Sequence, residues 1–197
     1  MTKKVIIALL VVAAAVVLWG VMAYNGVISA EENVAGKWGN VQNVYQRRAD
    51  LIPNLVATVR GYAEHERATL EDITNVRARA TQTTVNANNL TPEKLREFQQ
   101  TQAELSAALG RLIAISENYP DLKASQNFLE LQAQLEGTEN RINVERRNFN
   151  ESAQQYNTKI RRFPTSILAG LFGFDKKPYF EAETGSEAAP QVQFSSK

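Results

Sequence analysis

The sequence predicts an all-α protein: an N-terminal transmembrane helix followed by an elongated antiparallel bundle of three long helices, or four if Pro53 separates two. Three observations predict it. Residues 5–24, VIIALLVVAAAVVLWGVMAY, form an uncharged apolar run. Beyond it, apolar side chains recur at alternating spacings of three and four, the signature of a helix seam. No stretch shows β-type alternation or a hairpin turn of comparable strength.

The apolar run comes first. Its 20 residues, at about 1.5 Å each, match a hydrocarbon core about 30 Å thick. Lys3 and Lys4 precede it, and Trp19 and Tyr24 stand near its distal end, where amphipathic rings favour the headgroup region. Past the run, Glu31 and Glu32 oppose Lys37, so the basic bias keeps residues 1–4 in the cytoplasm and sends the body to the other side of the membrane. The bias is small, since Arg47 and Arg48 follow shortly. A cleaved secretory signal is the competing reading, with Val21-Met22-Ala23 as a V-x-A site. The length of the run and its direct passage into a helical pattern favour an uncleaved anchor in contact with the bilayer through 5–24.

The body, residues 25–180, opens with Val34, Trp38, Val41 and Tyr45, continues with Ile52, Leu55, Val59 and Tyr62, and reaches Ile73, Val76 and Ala80 in phase. The phase survives Pro53, which predicts a kinked continuous helix, although a proline lacking its N–H can also start a new one. The polar NANN segment ends the pattern. Thr91-Pro92-Glu93 then reads as an N-cap, a first-turn proline and an early acid, opening a helix with Leu95, Phe98, Leu105, Leu109 and Leu112 as its stripe. Asn118-Tyr119-Pro120-Asp121 stops it.

The clearest period follows. Phe128, Leu135, Ile142, Phe149 and Tyr156 fall every seven residues, with Leu131 and Ile160 extending the stripe, so one helix spans about Leu122 to Arg161. It exceeds its predecessor in length, which leaves part of the stripe without an intrachain neighbour and points to a homo-oligomer. Phe163-Pro164 ends it, a short apolar element covers 163–174, and 181–197 is too polar and small to offset ordering entropy, a flexible tail.

Composition narrows the chemistry. With 22 Lys+Arg against 21 Asp+Glu, there is no net field for nucleic acid. The absence of cysteine removes disulfides and thiol chemistry. The sole histidine, His65, lies between Glu64 and Glu66, but Thr69 occupies the position where a helical zinc pair needs a second imidazole. Glu71-Asp72 are adjacent helix residues that diverge. There is no G-x-S-x-G elbow, and GLFGF is not a phosphate loop. No catalytic, metal or cofactor site is expected, and the chain reads as a non-enzyme.

Two residue groups remain as candidates. Arg48 falls in the otherwise apolar seam and requires an acidic partner. Glu66 and Glu145 share the seam phase with Gln102 and Thr138, so the bundle carries polar layers. Their charged ends either snorkel outward or fix helix register and mark a partner's entry. The second group is Ile167, Leu168, Leu171, Phe172 and Phe174, which pack on the bundle end or meet a membrane surface or a partner. No basic residue within that run precedes Lys176-Lys177, which weakens the lipid alternative.

Three segments carry a resemblance: RRADLIPNLVATVRGYAEHE at 47–66, YPDLKASQNFLELQAQLEGTENRINVERRNFN at 119–150, and FPTSILAGLFGF at 163–174. The chain resembles the LemA family from about Tyr24 to Glu181. The resemblance implies a bacterial membrane protein with one N-terminal span and a helical-bundle body, and brings no catalytic motif. The expected function is that of a scaffold or adaptor, binding an unidentified envelope protein. A lipid-interacting or membrane-organising protein is the alternative, and an unrecognised hydrolase a weaker one.

Overall fold

The computed structural model describes residues 2–181, so the tail expected beyond Glu181 lies outside the described residues. Helix α1 runs from Thr2 to Arg60, 59 residues or about 88 Å. Its apolar start has a mean hydropathy of 3.0, and none of that window is buried by protein. A soluble core helix would be covered there, whereas this segment is long and apolar enough to cross a bilayer.

α1 passes Pro53 without a break. A proline at this position cannot donate to the carbonyl of Ala49, four residues earlier. Arg77 of helix α2 (Arg67–Gln82) supplies the missing donor: its Nε lies 2.7 Å from the Ala49 oxygen. The helix therefore continues because its neighbour satisfies the carbonyl that proline frees. Arg77→Met should leave that buried acceptor unpaired and lower stability by about 1–3 kcal/mol, read by denaturant unfolding of the full chain in detergent.

The break falls later than the Pro53 pattern suggests. α1 ends at Arg60, and Gly61-Tyr62 lead through a 3-10 turn, Glu64–Glu66, into α2. Tyr62, expected in the seam, is exposed, and Ala63 takes the buried place. The bundle thus has four long helices. α3 (Pro92–Ser116) starts as its cap predicts, with the Thr91 hydroxyl accepting from the Lys94 N–H at 3.3 Å. A single turn, α4 (Pro120–Lys123), precedes α5 (Gln126–Arg161), and α6 (Thr165–Phe172) closes on Gly173, whose φ of 73° needs glycine.

The four long helices run up, down, up and down. α1 packs on α5 and α2, and α2 packs on α3; the α3 and α5 backbones have no comparable packing, so that side stands open. α1 and α5 are antiparallel, as the pairs Lys159–Gly26, Ser152–Asn33 and Glu139–Arg48 show. Near the membrane only these two of the four long helices remain, joined by α6 and by residues 175–181. This returning segment and α1 cover Phe149, Ala153, Tyr156 and Ile160. The stripe expected to lack an intrachain neighbour therefore has one.

Two apolar clusters fill the interior. The distal one holds Ile52, Leu105, Leu112 and Leu135, and the proximal one Trp38, Tyr45, Phe98, Ile142 and Phe149. Between them lies a layer of different chemistry.

Candidate functional site

Arg48, Gln102 and Thr138 each occupy the seam step between the last proximal and first distal apolar residue of their helix, and all three are buried. The Arg48 guanidinium is 1% exposed, a placement tolerated only when the charge is paired and hydrogen-bonded. Its Nη1 donates to Glu139 Oε1 at 2.6 Å and to Ser106 Oγ at 2.8 Å. Its Nη2 donates to Gln102 Oε1 at 2.7 Å and to the Gln102 carbonyl at 3.1 Å. Gln102 in turn donates to the Ala80 carbonyl at 3.3 Å. One residue thus joins α1 to α3 and α5, and Gln102 carries the connection on to α2. Tyr45 lies under the guanidinium with 5.0 Å from Cζ to the ring centroid.

The acidic partner is Glu139, not either of the acids that share the seam phase. Glu66 is half-buried near the far turn, where it accepts from the Tyr119 hydroxyl at 3.4 Å. Glu145 accepts from Asn148 on its own helix. Thr138 donates to the Gln134 carbonyl and does not touch Arg48. Glu139 escapes a seam count because it sits one position off the apolar stripe, at the edge of α5.

That edge faces a groove of about 890 Å³ along the open α3/α5 side. Tyr45 and Arg48 form its floor, Gln99, Gln100 and Arg96 belong to one wall, and Asn143 and Arg146 to the other. At one end, Arg146 and Gln99 both donate to the Glu181 carbonyl, at 3.1 and 3.3 Å, bridging the walls.

A second arrangement holds residues 177–180 on α5. Asn157 donates to the Lys177 carbonyl at 2.8 Å and accepts from its N–H at 2.9 Å. Asn150 does the same for Phe180, at 3.0 and 2.8 Å. Phe180 then fills a pocket beside Trp38 and Phe149, with centroids 6.0 and 5.5 Å away. Trp38 itself donates to the Val85 carbonyl at 2.7 Å. Sequence reasoning missed this clasp. The available signal is an asparagine directly after three heptad residues, at 143, 150 and 157.

Tyr156 is buried beside the clasp, and its hydroxyl has no hydrogen-bond partner among the described residues. Burial pushes the phenol up to about 12, and Glu31 and Asp175 add to the shift. The folded state therefore prefers the neutral form. Its contribution is complete below about pH 10 and is lost as the pH rises towards 12. Tyr156→Phe should be at least as stable at neutral pH and should lose less stability than the parent above about pH 10, measured by denaturant midpoints across alkaline pH.

The remaining candidates lie apart. His65, Glu71 and Asp72 are exposed, and the described residues contain no group of three or more metal-ligating side chains. Of the C-terminal cluster, Ile167, Leu171 and Phe172 are exposed, while Leu168 and Phe174 are half-buried.

Among curated proteins, the chain is 28% identical to the magnetosome protein MamQ of Magnetospirillum gryphiswaldense, over 87% of this chain and 70% of that one. It is 26% identical to magnetosome protein MamQ 2 of Paramagnetospirillum magneticum, over 84% and 67%. It is 28% identical to protein LemA of Metamycoplasma hominis, over 72% and 61%. These likenesses and the exposed apolar helix make this a membrane-associated protein. The LemA family model matches residues 37–194, a span that includes Arg48 and its partners, both groove walls and the asparagine clasp. The chain belongs to the LemA family.

Proposed function

We propose that this protein is a non-catalytic, membrane-tethered scaffold that binds another polypeptide in the α3/α5 groove. The observation that carries this is the unclosed fourth side of the bundle, held open over a floor in which both terminal nitrogens of Arg48 are paired, while its buried Nε has no partner among the described residues. Arg48 spends its terminal nitrogens on Glu139, Ser106 and Gln102, so it supports a surface and is not poised for reaction. The wall residues Gln99, Gln100 and Asn143 both donate and accept, which suits the mixed polarity of a peptide chain. The names of the relatives, magnetosome proteins and LemA, are not those of enzymes.

Photo-crosslinking groups at Gln100 and Asn143, introduced into the full chain in intact membranes, are expected to give discrete protein adducts. The same group at Glu71, exposed on α2, serves as the control. An adduct of two copies of the chain would identify the partner as itself. Absence of adducts at both groove positions would overturn the proposal. On this proposal the body lies outside a bacterial inner membrane, a reading supported by Lys3 and Lys4 before the span and Glu31 and Glu32 after it. With no native cysteine, Glu71→Cys tests this directly: an impermeant maleimide should label it in spheroplasts without lysis.

A further inference from the structure

α6 is eight residues without a charge, TSILAGLF. Its inner side is anchored: Ala169 is buried, and Phe174 packs against the proximal cluster. Its outer side is not. Ile167 is 62% exposed and Leu171 76%, one helical turn apart, with Phe172 at 55% and Phe163, just before the helix, at 81%. Large apolar side chains gathered in this way are costly against water, and such patches mark a surface that meets something else.

The position of α6 identifies what it meets. Tyr24, the last residue of the apolar run, touches Phe172 and Phe174 with ring centroids 5.0 and 5.7 Å apart. The residues of α1 between 19 and 27 that become partly or wholly covered, Trp19, Gly20, Ala23, Tyr24, Gly26 and Val27, form one helical face. α6 therefore stands beside the final turns of the segment that crosses the bilayer. A span with Trp19 and Tyr24 at its boundary brings α6 to the depth where headgroups give way to acyl chains. Charge agrees with this depth: Arg161 and Arg162 immediately before the element, and Lys176 just after it, are exposed, at the level where lipid phosphates lie.

We infer that α6, together with Phe163, is an interfacial foot that inserts its outer face into the same bilayer α1 crosses. Two attachments then hold the body, a span and a foot beside it. The tilt of the bundle on the membrane is fixed by this pair, because leaning α1 away from the α6 side would lift Ile167 and Leu171 into water.

The test uses the full chain in nanodiscs of phosphatidylcholine and phosphatidylglycerol, loaded at one chain per disc. Nitroxide labels are placed by Ile167→Cys, Leu171→Cys and, as an exposed reference on α5, Gln155→Cys. The first two labels should be accessible to oxygen and several-fold less accessible than the reference to a water-soluble nickel chelate. Nickel accessibility equal to that of Gln155→Cys would overturn the inference. So would protection from both reagents, which would mean that protein covers the face. Both label sites are already exposed, so the substitutions leave the packed side of α6 intact, and unchanged helical circular dichroism checks this.

Discussion

Arg48→Ala is expected to lower the unfolding free energy of the full chain by about 3–5 kcal/mol, a large part of the stability of a domain this size. Two effects add. The side chain fills the step between two apolar clusters, so truncation opens a cavity where neither cluster can close over it. The Gln102 side-chain oxygen, which accepts from Arg48 at 2.7 Å, is left buried without that donor, at about 1–3 kcal/mol. Arg48→Met separates them, since it restores most of the apolar volume and removes only the polar pairing, of which the buried Gln102 side-chain oxygen is one acceptor beside Glu139 and Ser106. If the methionine variant proves as stable as the parent in denaturant unfolding, polar pairing does not hold this layer together, and Arg48 is merely a long stem in a core.

Trp38→Ala should cost a similar amount, about 3–5 kcal/mol, by a different route. The indole is 1% exposed and contacts the rings of Phe98 on α3, Phe149 on α5 and Phe180 in the returning segment. It also donates to Val85 between α2 and α3. Its removal therefore loosens four parts of the chain at once. Because Phe180 loses a wall of its pocket, Trp38→Ala and Phe180→Ala should be non-additive, with a coupling of about 0.5–3 kcal/mol. Limited proteolysis gives an independent check: cleavage near Lys176 and Lys177 should accelerate in Trp38→Ala. Additive losses with unchanged cleavage would show that the segment is held without help from the indole.

Much of the architecture was legible because it rests on repeated apolar spacing. The stripes Leu95–Leu112 and Phe128–Ile160 are continuous in sequence, and the Thr91 cap announces its helix locally. The interruption after Arg60 was not legible, because Ala63 and Tyr62 differ by one position and only tertiary packing decides which is buried. Continuity through Pro53 was legible, because the apolar phase survives it, but the donor that sustains it was not: Arg77 lies 24 positions away in sequence. At the candidate site, Arg48 and Gln102 stood out as polar residues in apolar phase. Glu139 and Ser106 did not, because a long guanidinium reaches across to residues outside the stripe. The clasp was concealed for another reason: apart from the Tyr179 hydroxyl, its partners on the returning segment are backbone atoms, which no pattern of side chains records.

That clasp has a consequence for how the chain can vary. Seven residues of helix rise about 10.5 Å, and three residues of extended chain advance about 10 Å. Asn157 and Asn150 therefore mesh with Lys177 and Phe180 like two gears of matched pitch. Side-chain identity contributes little to such a fit, but length contributes almost everything: inserting a single residue between 177 and 180 would slip the teeth and pull the aromatic plug out of its socket.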